Sequence, residues 1–200
     1  MTVAIYLAHL NPVTNAHVEI IEELKKEGKV TVMPVVFLQN RKEVNSRIFP
    51  FRYEIRKQML EAEFGDTITV SSNYTFHAPF CRYLPPLLSP ISWQLRKQIL
   101  NGIEDNYFTY TGDKAEGYML KMYRLHPKIG RRKLISSSQV KNKLYQAVQG
   151  KNTTWMNDVP EKIAKIIKQN WEIIEKFAAV EDKTKKVLGM KFPKQGYWFK

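Results

Sequence analysis

Ala4-Ile5-Tyr6-Leu7-Ala8-His9-Leu10-Asn11-Pro12-Val13-Thr14-Asn15-Ala16-His17 is the stretch that decides the fold. Residues 3–8 are a short apolar run of the kind that makes a buried strand. Asn11-Pro12 ends it, and Thr14 or Asn15 can cap the helix that follows. Val18, Ile20, Ile21 and Leu24 then recur at helical spacing, and Gly28 closes the helix. A strand that turns directly into a helix leaves free backbone N–H groups and a positive dipole end at the strand's carboxyl edge, which suits a polyphosphate. Thr14 adds a hydroxyl there, and His17 adds an imidazole able to donate a hydrogen bond to a phosphoryl oxygen. The plainer reading of the same spacing is a threonine cap and a packing histidine.

Reading outward, residues 30–38 are β-branched and nearly continuous, as a strand covered on both faces should be, with Pro34 marking a bulge or bend. A polar loop to Arg47, a helix over about 51–63 and a strand at 67–71 follow. This β-α-β-α-β alternation predicts an α/β, Rossmann-like open parallel sheet with helices on both faces. Ligands of such sheets bind at the carboxyl ends of the strands, near the switch in strand order.

Residues 73–92, rich in Pro and aromatics, break the pattern and read as an ordered lid or acceptor-pocket insertion. A helix at 92–101, a strand at 107–111 ending in Gly112-Asp113, and a helix at 114–124 come next. A basic turn (Lys128, Arg131, Arg132, Lys133) leads to a helix that starts at Ser136. The last helix spans 159–178, with Ile163, Ile166, Ile167, Trp171, Ile174 and Phe177 as its apolar stripe. The tail ends Gly196-Tyr197-Trp198-Phe199-Lys200, aromatics that suit docking on the body or on another subunit. The expected organisation is one Rossmann-like domain over 1–150, with 151–200 as a helix and basic aromatic tail packed on it.

The 200 residues are 44% hydrophobic and 26% charged, enough for one good core. A formal net charge of +13 favours anionic partners: nucleotides, nucleic acid or an acidic surface. The single cysteine, Cys81, excludes a disulfide framework and a cysteine-rich zinc site. Neither a signal peptide nor an apolar run of membrane-spanning length is evident, so a cytoplasmic protein without a membrane partner is expected.

Ile135-Ser136-Ser137-Ser138-Gln139-Val140-Lys141 is a second helix start with hydroxyls, N–H groups and a lysine. Alone it could be an ordinary serine cap beside surface lysines. Two such starts in one small α/β chain point together to a nucleotide.

Asn11-Pro12-Val13-Thr14-Asn15-Ala16-His17 resembles the (H/T)xGH signature of the nucleotidylyltransferase superfamily, and Ile135 to Lys141 resembles its second signature, ISSSxVK. The first segment is most similar to the phosphopantetheine adenylyltransferase form. The region around Trp155 and Val159-Pro160-Glu161 is more like nicotinamide mononucleotide adenylyltransferases. Phe51, Glu54 and Arg56 resemble an F-x-x-E-x-R segment of the same enzymes. The resemblance implies a nucleoside triphosphate, ATP before CTP, whose α-phosphate is attacked by a phosphorylated small-molecule acceptor, with pyrophosphate leaving. It implies His17, Thr14 and Lys42 as catalytic residues. Leu7, Ala8, His9, His17, Gly112, Asp113, Ser136, Ser137, Ser138 and Lys141 would bind the nucleotide, and His9, Arg41 and Lys42 the acceptor. Mg²⁺ would be held mainly through the nucleotide's phosphates.

Three residues depart from the pattern. Ala16 replaces the glycine before the histidine, Ala8 stands where a glycine is common, and His9 replaces a Thr or Ser. They leave a cytidylyltransferase, or a non-catalytic nucleotide- or RNA-binding protein on the same fold, as alternatives. A homo-oligomer is also open.

Overall fold

The computed structural model describes residues 2–85, 88–104, 106–112, 114–131, 133–151, 153–187 and 190–198. The elements are β1 (Val3–Ala8), α1 (Asn15–Lys25), β2 (Lys29–Pro34), β3 (Val36–Gln39), β4 (Lys42–Glu43), α2 (Tyr53–Phe64), β5 (Thr69–Val70) and β6 (Thr75–His77). The remainder are α3 (Pro90–Ile99), β7 (Tyr107–Thr111), α4 (Lys114–Met122), β8 (Pro127–Ile129), α5 (Ser137–Val148), α6 (Glu161–Gln169), α7 (Trp171–Ala178), β9 (Thr184–Val187) and β10 (Met190–Pro193).

β1 alternates strictly, because successive side chains leave a strand on opposite faces. Ala4 and Tyr6 enter one core with Ile20, Ile21 and Leu24 of α1, Met59 and Leu60 of α2, Val140 and Leu144 of α5, and Ile163 and Ile167 of α6. Val3, Ile5 and Leu7 enter a second core with Leu95 and Ile99 of α3 and Met119 and Leu120 of α4. The sheet that separates the two cores is parallel, in the order β5-β2-β1-β7-β8. The chain thus moves outward from β1 in one direction, then returns to build the other half from β7. The switch point lies between β1 and β7. This is the expected Rossmann-like architecture, with helices on both faces.

Four details differ from the sequence reading. The apolar run 30–38 is two strands, β2 and β3, parted at Val35. β1 ends at Ala8, whose carbonyl takes the Val35 N–H, so the chain beyond finds its partner in β6 and forms a small β4-β3-β6 sheet. Within segment 73–92, Thr75–His77 form β6 and Pro90 opens α3. Tyr74, Phe76, Phe80 and Tyr83 are buried against Phe37 and the tail's Phe192. Lys128 is not in a turn but on β8, a three-residue edge strand beginning with proline, too short for periodicity to reveal.

The predicted 159–178 helix is two helices broken at Asn170. The Asn170 amide donates to Ile166 O at 2.9 Å, and its backbone leaves helical geometry at φ −117°, ψ 33°. A side-chain amide competing with the main-chain ladder is a standard helix terminator. α6 packs on α2 and α7 on α5. In the tail, β9 and β10 pair antiparallel, Phe80 N–H donates to Gly196 O, Cys81 N–H donates to Tyr197 O, and Tyr197 is buried.

Candidate active site

At the switch point a cleft of about 240 Å³ opens over the carboxyl ends of β1 and β7. Leu7, Ala8 and His9 line it from the end of β1, His17 from α1, Gly112 from the end of β7, and Ser136, Ser137, Ser138 and Lys141 from the start of α5. The two helix starts are physically joined. Ser137 Oγ donates to Pro12 O at 3.0 Å, and Lys141 Nζ donates to Asn11 O at 2.6 Å. Asn11 is clamped from the other side, donating from Nδ2 to Phe51 O (2.8 Å) and accepting the Phe51 N–H at Oδ1 (3.1 Å). Leu10 sits at φ 49°, a left-handed conformation that costs a non-glycine residue about 1–3 kcal/mol and persists only where neighbours enforce it.

The imidazole of His17 is oriented from behind. Its Nδ1 accepts the Thr14 backbone N–H at 3.0 Å and lies 3.0 Å from Thr14 Oγ1. A neutral ring that accepts at Nδ1 carries its proton on Nε2. Burial, and then the charge of Lys141, pull its pKa down to about 4, so the ring is neutral at physiological pH. The arrangement yields one fixed N–H donor at a helix start. Thr14, expected to touch phosphate, is fully buried and serves to orient His17.

Ser136 caps α5: its Oγ accepts the Gln139 N–H at 3.3 Å, and Gln139 Oε1 accepts the Ser136 N–H at 2.9 Å. Burial pulls the Lys141 ammonium down to about 7; nearby Lys191 adds to the effect and Asp182 partly offsets it. The His9 ring packs on Phe49 with centroids 4.8 Å apart. Burial, then Lys141 and Arg56, lower its pKa to about 3, and its Nδ1 has no protein partner. Arg56 is buried below the loop, donating from Nη1 to His9 O (2.9 Å) and Val35 O (2.8 Å) and from Nη2 to Glu43 Oε1 (3.0 Å). Arg131, Lys133, Lys141 and Lys191 line the cleft against a single described acid, Glu116, which accepts from Thr111 Oγ1 at 2.7 Å. The charge balance fits a polyanion.

Two expected acceptor ligands lie elsewhere. Arg41 and Lys42 sit at the β3–β4 hairpin, both exposed and neither lining the cleft. Asn40 and Arg41 have φ of 50° and 62°, the paired left-handed geometry of a tight hairpin turn. Lys42→Ala is therefore expected to leave the acceptor's KM within about twofold, as for surface substitutions remote from a site; initial-rate kinetics check this. Asp113 and Arg132 lie outside the described residues. Sequence reasoning missed Glu116 and Lys191. Lys191 could have been suspected from the docking aromatics of the tail, which bring their lysine neighbours to the body.

A second cavity of about 180 Å³ adjoins the first and shares Ala8, His9, Glu116 and Lys191 with it. Its other walls are Val35, Phe37, Tyr74, Phe76, Met190 and Phe192. Among the described residues no cluster of three or more His, Cys, Asp or Glu is placed to hold a metal, and no helix is long and apolar enough to cross a membrane.

The fold is a Rossmann-like one shared with solved adenylyltransferase structures, and its cleft lies at the β1/β7 switch. Among solved structures, the chain is similar to a bifunctional NMN adenylyltransferase/ADP ribose pyrophosphatase from Francisella tularensis, with a TM-score of 0.63, 16% identity, and coverage of 89% of this chain and 52% of that one. The same enzyme complexed with AMP and an Mn ion gives a TM-score of 0.61 and 14% identity at the same coverage, 89% and 52%. A nicotinic acid mononucleotide adenylyltransferase from Plasmodium falciparum, complexed with NaAD, gives 0.44 and 15% identity over 86% of this chain and 98% of that one. The chain spans about half the length of the Francisella enzyme. No family model matches the sequence, and no curated protein matches it.

Proposed function

We propose that the protein is a nucleotidyltransferase that moves the AMP group of ATP to a phosphorylated small-molecule acceptor and releases pyrophosphate. The observation that carries this is the direct bonding of the two helix starts, Ser137 to Pro12 and Lys141 to Asn11, around one neutral imidazole donor. An oxygen of the acceptor's phosphate attacks the α-phosphorus. The bond between that phosphorus and the bridging oxygen to the β-phosphate breaks, and the electron pair leaves with pyrophosphate. Charge grows on the α-phosphoryl oxygens, where His17 Nε2–H is placed to donate. The backbone N–H groups of Ser137 and Ser138 and the Ser138 hydroxyl, with Lys141, receive the β- and γ-phosphates, while Ser136 caps the helix and Ser137 Oγ holds Pro12 O. No side chain forms a covalent intermediate.

Mg²⁺ suits this donor set. The ion keeps waters, takes one or two carboxylates and binds phosphates, so Glu116 is a sufficient protein contact. When bound it neutralises phosphate charge. The Francisella enzyme's complex with AMP and an Mn ion supports divalent-metal use. ATP is favoured over CTP because the Francisella neighbour, with its TM-score of 0.63, is an adenylyltransferase. Pyrophosphate release with ATP or CTP and a panel of phosphorylated acceptors tests the reading.

A further inference from the structure

We propose that Lys191, carried on the C-terminal β10 strand, binds the acceptor's phosphate at the junction of the two cavities. The inference rests on the transferase reading only for the word acceptor; an anion site at Lys191 stands by itself.

The reaction dictates where that phosphate must lie. It has to reach the α-phosphate of the nucleotide in the first cavity, while the rest of the acceptor occupies adjoining space. The adjoining space is the aromatic-walled second cavity, and among the described residues only Ala8, His9, Glu116 and Lys191 line both. Lys191 is the one lysine or arginine among the four. His9 beside it is neutral and retains an unpartnered Nδ1. Lys191 has no carboxylate partner among the described residues. It lines the same cleft as Lys141, and its charge disfavours that of Lys141. Two like charges brought together in a partly buried cleft are an unfavourable pair until an anion lies between them.

The chain also invests structure in placing this lysine. β10 pairs with β9, and Lys194 N–H donates to Lys183 O at 2.8 Å. Phe192 is buried between Phe37, Phe76 and Phe80. Gly196 O and Tyr197 O accept the N–H groups of Phe80 and Cys81, and Lys185 lies over the Trp198 ring at 3.7 Å. The hairpin that carries Lys191 is therefore anchored on both sides of it. Alternation on β10 does not separate Lys191 from its apolar neighbours, because Met190 and Phe192 wall the second cavity with it.

The test uses the full chain saturated with a non-hydrolysable ATP analogue, so that the triphosphate site is filled. Inorganic phosphate is then titrated and the rise in melting temperature recorded. The wild type and Lys191→Arg are expected to gain stability with phosphate. Lys191→Ala and Lys191→Gln are expected to lose that gain while still binding the ATP analogue, which reports that they fold. Under turnover, Lys191→Ala is expected to raise the acceptor's KM roughly tenfold or more, the scale of one lost hydrogen bond to a charged group, with the KM for ATP little changed. An equal phosphate response in wild type and Lys191→Ala, or none in the wild type, overturns the proposal. An unchanged acceptor KM in a working enzyme overturns it too and leaves the transferase reading standing. A phosphate response that depends on Lys191, in a protein that releases no pyrophosphate with any acceptor, supports the anion site and removes the transferase reading.

Discussion

His17→Ala is expected to lower turnover by about 100- to 1,000-fold while the KM for ATP changes little, the effect of removing one donor aimed at a developing negative charge. The magnitude follows from how firmly the donor is held. His17 Nδ1 is engaged by the Thr14 N–H at 3.0 Å, so the ring cannot turn without breaking a helix-start hydrogen bond. His17→Asn restores a donor of similar reach but not its orientation and is expected to recover only part of the rate. The pH profile adds a separate check. A pKa near 4 keeps the imidazole neutral from pH 6 to 9, so no rate limb from His17 is expected there. A loss smaller than about fivefold in His17→Ala, read by single-turnover pyrophosphate release, removes the imidazole from the transition state.

Lys141→Met separates binding from folding. The lysine is 5% exposed, and its ammonium donates to Asn11 O at 2.6 Å. Replacing a buried charge with an apolar chain of similar length is neutral or stabilising, so the melting temperature of the free protein is expected to hold or rise. Triphosphate affinity is expected to fall by roughly 30-fold or more, the cost of removing a desolvated charge from its partner.

Linkage gives the sign of the accompanying pH effect. The folded pKa of Lys141, about 7, lies below the ordinary lysine value of 10.5. Folding therefore disfavours its charged form. The penalty is absent above the unfolded pKa, grows as pH falls, and is complete below about 7. A bound triphosphate restores the charge. At pH 8 binding should take up about one proton, seen by calorimetry in buffers of different ionisation enthalpy. Lys141→Met should abolish that uptake; equal uptake in wild type and variant would assign it to another group.

The parts of this site that local chemistry writes were legible in the sequence. The run 3–8, the break at Asn11-Pro12 and the helical spacing to Leu24 became β1, its loop and α1 with only small shifts of boundary. Ser136 marked the start of α5 because a serine cap is a local device. What stayed hidden depends on partners distant in the chain. The bend at Val35 exists because β6 supplies a new edge, its residues 39 positions along the chain from their partners in β3. Thr14 could not be assigned to His17 over phosphate from spacing, since a hydroxyl at a helix start suits either. Lys42 was placed by resemblance, and a two-residue hairpin turn carries it away from the cleft. Lys191 lies 50 residues beyond the second motif; the tail's aromatics signal docking, but they do not reveal that β10 comes to lie beside His9.

The central claim, nucleotidyl transfer at the joined helix starts, is tested most directly by incubating the protein with ATP, Mg²⁺ and a panel of phosphorylated small molecules and following pyrophosphate. The account predicts pyrophosphate released in equal amount to an adenylylated product, dependent on one acceptor class and nearly abolished in His17→Ala. ATP bound at the cleft with no pyrophosphate from any acceptor, or release undiminished in His17→Ala, would contradict it.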